Sequence, residues 1–438
     1  VSSLVPSASP MLKRIAPAEV PSVRRNPIDK QARAIAEPIV EAVRAEGEPA
    51  LRRYAEQFGE LAPAAPLLLP RSALLAAYER VSPDVRGCLE RTAARIRAFA
   101  EAQVGSLSEV TVAIPGGQAG HTVSPVEAAG CYAPGGRYPL PSTVLMTAVT
   151  ARVAGVRRVV VASPRPADVT LAAAYVAGAD ALLPAGGAHA IAALAYGAGP
   201  LAPCDAVVGP GNAFVTAAKA LVAGSVAIDM LAGPSEVLVV ADGTADAAIV
   251  AADLLAQAEH DPSAIPSLIC LSESFADAVD AELREQLAVL PTREIAEAAL
   301  KNGYTVVVET IDEAADIADR LAVEHLEIHV ANAMELKARL KHYGGLFVGQ
   351  GAAEVLGDYG AGPNHTLPTG GTARSTGGLC ALTFLRVRTW MRIDSLADAE
   401  QLTRDAAMLG DLEGLCGHAA AARKRLPEGA AKRKRDEA

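Results

Sequence analysis

The hydrophobic pattern of the first part of the chain is that of helices followed by a hairpin. Residues 28–58 carry apolar side chains three and four positions apart, which predicts amphipathic helix. Pro49 after Gly47 predicts a break into two helices. Residues 84–104 predict another amphipathic helix, whereas residues 111–123 alternate, contain glycine and predict paired strands.

From about residue 125 the pattern changes to short, strongly apolar runs that alternate with helical segments. The runs of the first series include “VRRVVVASP”, “CDAVVGPGN” and “EVLVVAD”. A second series of apolar runs and helical segments then begins with a helix predicted at residues 244–260. Strands this apolar are expected to be buried on both faces, as in parallel sheets covered by helices. The sequence therefore predicts an α/β protein with two doubly wound units and a helical region at its end.

Composition limits the classes of function. The chain has 438 residues, of which 51% are hydrophobic and 4% aromatic, which suits helices packed closely on sheets around a large core. The formal net charge of −10 leaves no basic field for nucleic acid. No apolar run reaches the roughly 18–20 residues that span a bilayer. We therefore expect contact with neither nucleic acid nor membrane.

Cysteine usage and the termini bear on the compartment. The six cysteines include no CxxC pair, so we expect buried thiols in a reducing compartment. The first residues lack the regions of a secretory signal, which predicts a cytoplasmic protein, but their serine content would also suit an organelle-targeting segment. “KRKR” near the end resembles a nuclear localisation patch, although the acidic composition favours a solvated tail.

Four glycine-rich turns follow strands of the first series. They are “APGGRYPLPST”, “PAGGAHA”, “GPGNAF” and “AGPSE”. Ligands of open α/β sheets bind where strands end and helices begin, and glycine lets the backbone approach a ligand. The turns predict a phosphate or nucleotide site, but simple turn formation also explains them, and the GxGxxG fingerprint is absent.

The segment “DLLAQAEHDP” places Gln257 and His260 three positions apart at the end of a strongly helical run. Thr244 is the predicted N-cap of this helix, and Asp261-Pro262 ends it. Positions three apart share one helix face, so the two side chains are expected to point the same way. A metal site and a solvent-exposed helix end both fit this segment, and a metal site needs further ligands from elsewhere.

Three other segments offer ligands and acid–base groups. The candidates are Glu324 and His325 before a strand, Asp358 and His365 in a glycine-rich loop, and Glu413 and His418 on a helix. A Glu–His pair suits acid–base chemistry because His titrates near neutral pH and a carboxylate can orient it or activate water.

Several histidines also have structural interpretations. His418 could be an exposed helix residue, and His365 could simply bond a loop carbonyl. We interpret His121, His329 and His342 as surface or structural residues. Spacing alone leaves these alternatives open.

A set of long motifs, in one order over residues 11–425, resembles the histidinol dehydrogenase family. The motifs are “GCYAPGGRYPLPSTVLM”, “AGGAHAIAALAYG”, “GPGNAFVTAAK”, “IDMLAGPSEVLV”, “ADLLAQAEHDP”, “EHLEIH”, “GDYGAGPNHTLPTGGTAR” and “LEGLCGHAAA”. The resemblance implies an oxidoreductase that converts L-histidinol to L-histidine through L-histidinaldehyde, the last steps of histidine biosynthesis. It also implies NAD as cofactor, one zinc ion per subunit and a homodimer with shared active sites.

The resemblance assigns the metal ligands and the catalytic pair. The implied zinc ligands are Gln257, His260, Asp358 and His418 of the partner subunit. The zinc ion is expected to anchor the amine and imidazole of the substrate. The implied catalytic residues are His325, which takes the alcohol proton, and Glu324, which activates water.

The resemblance further assigns binding residues. The implied substrate contacts are Ser235, Gln257, His260, His325, Asp358, His365, Glu413 and His418. The implied NAD contacts are Tyr132, His189 and Asn212. Because the family binds NAD without a GxGxxG sequence, the resemblance also accounts for its absence here.

The fold implied by the resemblance is a pair of incomplete Rossmann-like, doubly wound domains with small terminal pieces that intertwine a dimer. We expect an N-terminal arm at 1–20, a first domain made of 21–128 and 237–373, a second domain at 129–236, and a helical C-terminal region at 374–438.

Some positions depart from the family pattern. His189 stands where the family has Gln, and Val323 stands where it usually has Pro. The segments “RYPLPST”, “TLPTGGTARSTGGL” and “FLRVRTW” are similar to a paralogous group that oxidises other small polar alcohols, such as sulfopropanediol. Glu413 and His418 favour an amine-bearing substrate. A catalytically silent homologue with a binding role is a third possibility, against which the complete set of candidate residues argues.

Overall fold

The computed structural model describes residues 10–21, 26–135 and 138–426. The beginning of the expected N-terminal arm, the “KRKR” tail and two residues of the “APGGRYPLPST” turn lie outside the described residues. Among the described residues, no helix is long and apolar enough to cross a membrane.

Strands and helices alternate through most of the chain. The strands are β1 (Lys13–Ile15), β2 (Leu69–Pro70), β3 (Val110–Ile114), β4 (Gly117–Pro125), β5 (Ala128–Tyr132), β6 (Arg158–Ala162), β7 (Ala181–Leu183), β8 (Ala206–Val208), β9 (Ala227–Ile228), β10 (Glu236–Ala241), β11 (Ile265–Cys270), β12 (Tyr304–Val307), β13 (His325–His329), β14 (Gly345–Val348) and β15 (Leu385–Ile393). The helices are α1 (Lys30–Glu46), α2 (Glu48–Gln57), α3 (Arg71–Arg80), α4 (Pro83–Gly105), α5 (Pro141–Val153), α6 (Asp168–Val176), α7 (Gly187–Tyr196), α8 (Ala213–Val222), α9 (Ala247–Ala258), α10 (Glu273–Val289), α11 (Arg293–Leu300), α12 (Ile311–Leu321), α13 (Ala333–Arg339), α14 (Glu354–Asp358), α15 (Glu400–Leu412) and α16 (Cys416–Arg423).

Two six-stranded sheets carry the fold. Sheet I has the order β2-β7-β6-β5-β8-β9, and sheet II has the order β1-β12-β11-β10-β13-β14. All neighbours are parallel except β2 and β7 at the edge of sheet I. Every residue of the central strands β5, β10 and β13 is buried, as expected for sheets covered on both faces. The predicted α/β fold with parallel sheets is confirmed.

The first helices pack on sheet I. α1 is capped by Gly47, whose φ of +66° suits glycine, and α2 starts at the next residue, so the predicted break is confirmed. Val40 and Leu51 on these helices join the core around α7 and α8, and β2 pairs with β7. The apolar faces of these helices are therefore buried against sheet I, and the expected grouping of residues 21–128 with 237–373 stays a prediction.

Residues 105–125 and 385–426 form a second compact unit within the described part of the chain. In it β3 and β4 pair as the predicted hairpin, and β15 pairs along the whole of β4 in the order β15-β4-β3. α15 and α16 follow β15 and pack on each other. The region predicted as helical from residue 374 thus also contains a strand, in which Arg386, Arg388 and Arg392 take alternate positions of “LRVRTWMRI”.

The cysteines only partly follow the expectation of buried thiols. Cys131, Cys204 and Cys270 are buried, but Cys88 and Cys416 are exposed, and all six cysteines are free. Burial raises the pKa of Cys270 to about 11. The exposed pair lies on helix surfaces, where a small apolar side chain needs no burial.

Candidate active site

The candidate residues meet at the amino-terminal edge of sheet II. β13 begins at His325, while α9 returns from β10 towards β11, so Gln257 and His260 reach the edge where parallel strands begin. Asp358 ends α14 at the same place. Gln257 Oε1 lies 3.1 Å from His325 Nδ1, and His260 Nε2 lies 3.5 Å from Asp358 Oδ2. The structure therefore brings these four predicted residues together.

Helix α9 presents a buried polar face. Its N-cap is Asp246, whose carboxyl accepts from the backbone N–H of Ala248, rather than the predicted Thr244, which instead donates to Asp242. Gln257 is fully buried, so the alternative of a solvent-exposed helix end is wrong for this side chain. Its Oε1 faces His325, and its role as a metal ligand stays a prediction.

His325 is placed as a proton acceptor. Its Nδ1 lies 3.3 Å from the carbonyl oxygen of Glu236 and 3.1 Å from Gln257 Oε1, and because both are acceptors, Nδ1 carries the ring proton. Nε2 is then unprotonated, and it has no hydrogen-bond partner among the described residues. Burial lowers the pKa of His325 to about 4, so the ring is neutral at pH 7.

Glu324 lies beside His325 and is also buried. Its Oε2 accepts the backbone N–H of Glu236 at 3.0 Å and lies 3.8 Å from His325 Nδ1. Burial raises the pKa of Glu324 well above its ordinary value, although this hydrogen bond and one from the Ser235 hydroxyl act in the opposite direction. A carboxyl group with a raised pKa can both take up and release a proton near neutral pH.

His260, Glu354 and Asp358 form a cluster that fits a metal ion. One potential ligand atom from each lies within 4.8 Å of the other two. His260 Nδ1 donates to the carbonyl of Ala256 at 3.1 Å, so in the neutral ring Nε2 keeps its lone pair. Both carboxyl oxygens of the buried Glu354 lack a hydrogen-bond partner within the described part of the chain. Imidazole and carboxylate donors of this kind suit a divalent cation such as Zn²⁺.

The electrostatics of the cluster also favour a cation. Burial would raise the pKa of Asp358, but the hydrogen bond with His260 and the nearby imidazoles outweigh burial and lower it. The same hydrogen bond raises the pKa of His260. Burial raises the pKa of Glu354 well above its ordinary value, and the charges of Asp358 and Glu324 add to this effect. A bound cation would offset the cost of burying these carboxylates.

Glu354 is the functional candidate that sequence reasoning missed. It stands four positions before Asp358 in “EVLGD”, so both lie on one face of α14. The five-residue helix is too short to give a periodic signal, and only the spacing of the two acids could have pointed to it.

His365 connects the site to sheet I. Its Nδ1 donates to the carbonyl of Asp358 at 3.0 Å, and its Nε2 lies 3.2 Å from the hydroxyl of Thr143 at the start of α5. His365 therefore bonds the carbonyl of the last residue of α14, and its role as a substrate contact stays a prediction. A cavity of about 370 Å³ borders it, lined by Asp358 and by apolar side chains that include Phe99 and Phe347.

The predicted cofactor residues lie at the carboxyl-terminal edge of sheet I. Tyr132 ends β5, and its hydroxyl accepts the backbone N–H of Gly187 at 3.2 Å. Asn212 caps α8 by accepting two backbone N–H groups. His189 is buried with its Nε2 2.8 Å from Glu60 Oε2, so its ring pairs with a carboxylate.

The two remaining candidates belong to the second compact unit. Glu413 follows α15, and His418 lies in the first turn of α16. Both are exposed in the single chain, so the interpretation of His418 as an exposed helix residue fits the structure.

Comparisons with known proteins identify the family of this chain. The sequence model of the histidinol dehydrogenase family matches residues 23–426. Histidinol dehydrogenase of Thermus thermophilus is 46% identical over 384 residues, which are 87% of this chain and 91% of that protein. The enzyme of Haloarcula marismortui is 47% identical over 403 residues, or 89% and 92%. The crystal structure of the Elizabethkingia anophelis enzyme superposes with a TM-score of 0.88 at 29% identity, covering 95% of this chain and 98% of that one. By its sequence and its fold, the chain belongs to the histidinol dehydrogenase family.

Proposed function

We propose that the protein oxidises L-histidinol to L-histidine in two steps through L-histidinaldehyde, as the last steps of histidine biosynthesis. The observation that carries this proposal is the buried His325, whose Nε2 is free among the described residues and lies 3.9 Å from Asp358 Oδ1, while its Nδ1 lies 3.8 Å from Glu324 Oε2. A dehydrogenase of an alcohol needs such a proton acceptor next to the carbon that loses hydride. The curated relatives named above carry the same activity in their names.

In the first oxidation, Nε2 of His325 takes the proton of the substrate hydroxyl as hydride leaves the same carbon, which gives the aldehyde. The fixed proton on Nδ1 keeps Nε2 available, since the Glu236 carbonyl accepts only from Nδ1. In the second oxidation, Glu324 takes a proton from water as the oxygen adds to the aldehyde, and a second hydride leaves the hydrate. The sum is one carboxylate, two hydrides and three protons from one alcohol and one water.

The metal site of this proposal consists of Gln257, His260, Asp358 and His418 of the partner subunit. The unpartnered oxygens of Glu354 and the lone pair of His260 support a cation there. Zinc, when bound, supplies a Lewis-acid anchor for the amine and imidazole of the substrate. Ser235, His365 and Glu413 are the further proposed substrate contacts, and the cavity beside His365 is large enough for a molecule of this size.

The cofactor site of the proposal is the carboxyl-terminal edge of sheet I. Apart from the edge strands β1 and β2, both sheets start in the middle and add strands first on one side and then on the other, as in Rossmann-like domains. NAD, when bound, accepts one hydride in each oxidation. Tyr132, His189 and Asn212 are the proposed contacts, and the glycine-rich turns beside them allow backbone to approach a phosphate group.

The proposed assembly is a homodimer. His418 is exposed in the described part of the chain, which leaves its imidazole available to a metal ion of the partner subunit. The division into two Rossmann-like domains with terminal pieces is proposed with the same dimer, with α1–α3 now placed on sheet I.

A substrate panel tests the proposal. The zinc-loaded protein is assayed with NAD against L-histidinol, its analogue without the α-amine, and sulfopropanediol. We expect kcat/KM for L-histidinol to exceed both others by about 100-fold or more, because buried polar groups discriminate against substrates that leave them unpaired. Preference for sulfopropanediol would move the protein to the paralogous group, and no turnover of any alcohol would identify a silent homologue.

A further inference from the structure

A second polar cluster lies between α9 and β13, beyond the catalytic pair. It consists of Asp253 on α9 and of Glu327 and His329 on β13. Alternate residues of a strand face the same side, so Glu327 and His329 face α9 together with His325. Asp253 is one helical turn before Gln257 and shares its face. The cluster therefore lies in the same interface between α9 and β13 as the active site, one turn of α9 away from Gln257.

The cluster has the dimensions of a metal site. His329 Nε2 lies 3.6 Å from Glu327 Oε2 and 3.9 Å from Asp253 Oδ2. A tetrahedral ion with bonds of about 2.0–2.1 Å spaces its ligand atoms roughly 3.4 Å apart. Small side-chain rotations would bring the three ligand atoms to that spacing, since all of them already lie within 4.8 Å of one another.

The three side chains are buried and incompletely satisfied. Their exposed fractions are 7% for Asp253, 0% for Glu327 and 1% for His329. In the described part of the chain, no hydrogen-bond partner is found for Asp253 Oδ2, for Glu327 Oε2 or for either ring nitrogen of His329. Buried polar atoms are normally paired. Asp253 Oδ2 and Glu327 Oε2 both face His329 Nε2 in this buried interface, and a positive group between the three atoms would satisfy them. Of the two interpretations given for His329, surface or structural, burial excludes the surface one.

We propose that Asp253, Glu327 and His329 bind a divalent cation of the Zn²⁺ or Mn²⁺ class, separate from the ion at His260 and Asp358. Two carboxylates balance the charge of the ion, and a neutral imidazole adds none. One nitrogen and two oxygen donors suit these ions, whereas Mg²⁺ and Ca²⁺ favour oxygen alone. A second carboxylate oxygen or a water completes the coordination.

This ion holds the active site together and does not take part in the reaction. It ties α9 to β13, and those two elements carry Gln257 and His325. The site is closed to substrate because its ligands are buried. Asp253, Glu327 and His329 are thus positioning residues.

Metal counting tests the proposal. The full-length protein is stripped with a chelator, equilibrated with Zn²⁺ and dialysed, and zinc is counted per chain. We expect two ions in the wild type, one after His329→Gln or Asp253→Asn, one after His260→Gln, and none after the double change H260Q/H329Q. Asp280→Asn is the matched control, because Asp280 is also a buried helix carboxylate but is paired with Arg14 at 2.9 Å, and this variant should keep two ions.

The outcomes separate this site from the one at His260. A single ion that is lost only in His260→Gln overturns the second site and leaves the proposed function standing. A single ion that is lost only in His329→Gln supports the second site and contradicts the first. If the variants do not fold, a wild-type crystal measured at the zinc absorption edge gives the answer. A peak between Asp253 and His329 supports the proposal, and no peak there beside one at His260 overturns it.

Discussion

The carboxyl-terminal edge of sheet I and the amino-terminal edge of sheet II offer ligands different groups. Sheet I presents glycine-rich turns and the starts of α5, α7 and α8, so its donors are mainly backbone N–H groups. Sheet II presents carboxyl, amide and imidazole side chains from the end of α9, the start of β13 and the end of α14. Backbone donors at helix starts suit anions such as phosphate, while the side chains of sheet II suit a cation and proton transfer.

This difference shows where the usual rule for α/β sheets applies. Ligands bind at the carboxyl ends of strands because helices begin there, which describes sheet I. At the amino edge of sheet II helices end, so chemistry depends on individual side chains. One loop connects the two edges, since His365 contacts Thr143 while Thr369 accepts from Gly233 and Gly370 donates to Glu236. We expect both edges to serve one reaction.

The largest effect is expected from removing the proton acceptor of sheet II. His325→Asn keeps a donor that can face the Glu236 carbonyl but loses the basic Nε2, so kcat should fall about 1,000-fold. NADH formation measures the rate, and zinc content should be unchanged. His121→Asn is the control, because His121 bonds the Ser108 carbonyl in the second compact unit. Equal rates in both variants would refute the role of His325.

The next effect is expected at the metal cluster. Asp358→Asn removes the carboxylate charge that faces His260, so zinc affinity and kcat/KM should each fall by about 100-fold or more. Excess Zn²⁺ should restore part of the rate. A variant that binds zinc as tightly as the wild type would show that Asp358 is not a ligand. The proposed cation site at the amino-terminal edge of sheet II would then lack its main carboxylate.

The pH dependence of stability probes the buried His325 directly. Its pKa is about 4 in the folded protein and near 6.5 when unfolded, so between these values the unfolded chain binds more protons. The free energy of unfolding should therefore fall as pH drops from 6.5 to 4, by about 3 kcal/mol from this group. Urea unfolding of the metal-stripped protein should show a smaller fall for His325→Asn. If the free energy of unfolding depends on pH identically in the wild type and in His325→Asn, then folding does not lower the pKa of His325, and its ring is in contact with water.

The smallest effect is expected at sheet I. His189→Gln restores the residue of the family pattern and removes the pair with Glu60, so KM for NAD should change a few-fold while kcat and zinc content stay the same. Glu60→Gln, which breaks the same pair from the other side, is the matched variant. A change in kcat or zinc content would mean that the two edges do not have separate roles.

The apolar strands and the main helices could be predicted because their patterns are strong. The α/β fold could be predicted from the buried runs of β10, β11 and β13 and from the helical run of α9. The spacing of Gln257 and His260 predicted that both side chains lie on one face of α9. The short edge strands β1 and β2 give no pattern of their own and depend on the sheet that they join. An amphipathic pattern shows that one face of α1 and α2 is buried, but it does not show that this face packs on sheet I, which depends on contacts between distant parts of the chain.

The polar part of the site was harder to predict. In “HLEIH” the polar residues Glu327 and His329 alternate with Leu326 and Ile328, which is typical of a strand with one exposed face. The structure buries both faces, because α9 turns its own polar residue Asp253 towards that strand. Only the tertiary pairing of two polar faces reveals the cluster, and a single strand pattern cannot.

The most direct test of the account is the number of NADH molecules formed for each L-histidinol consumed by the zinc-loaded protein. The two-step use of His325 and Glu324 predicts about two NADH per histidinol, with histidine as the product. One NADH per histidinol with accumulated aldehyde would contradict the role of Glu324. No NADH would contradict the proposed substrate and leave only the fold and the metal sites.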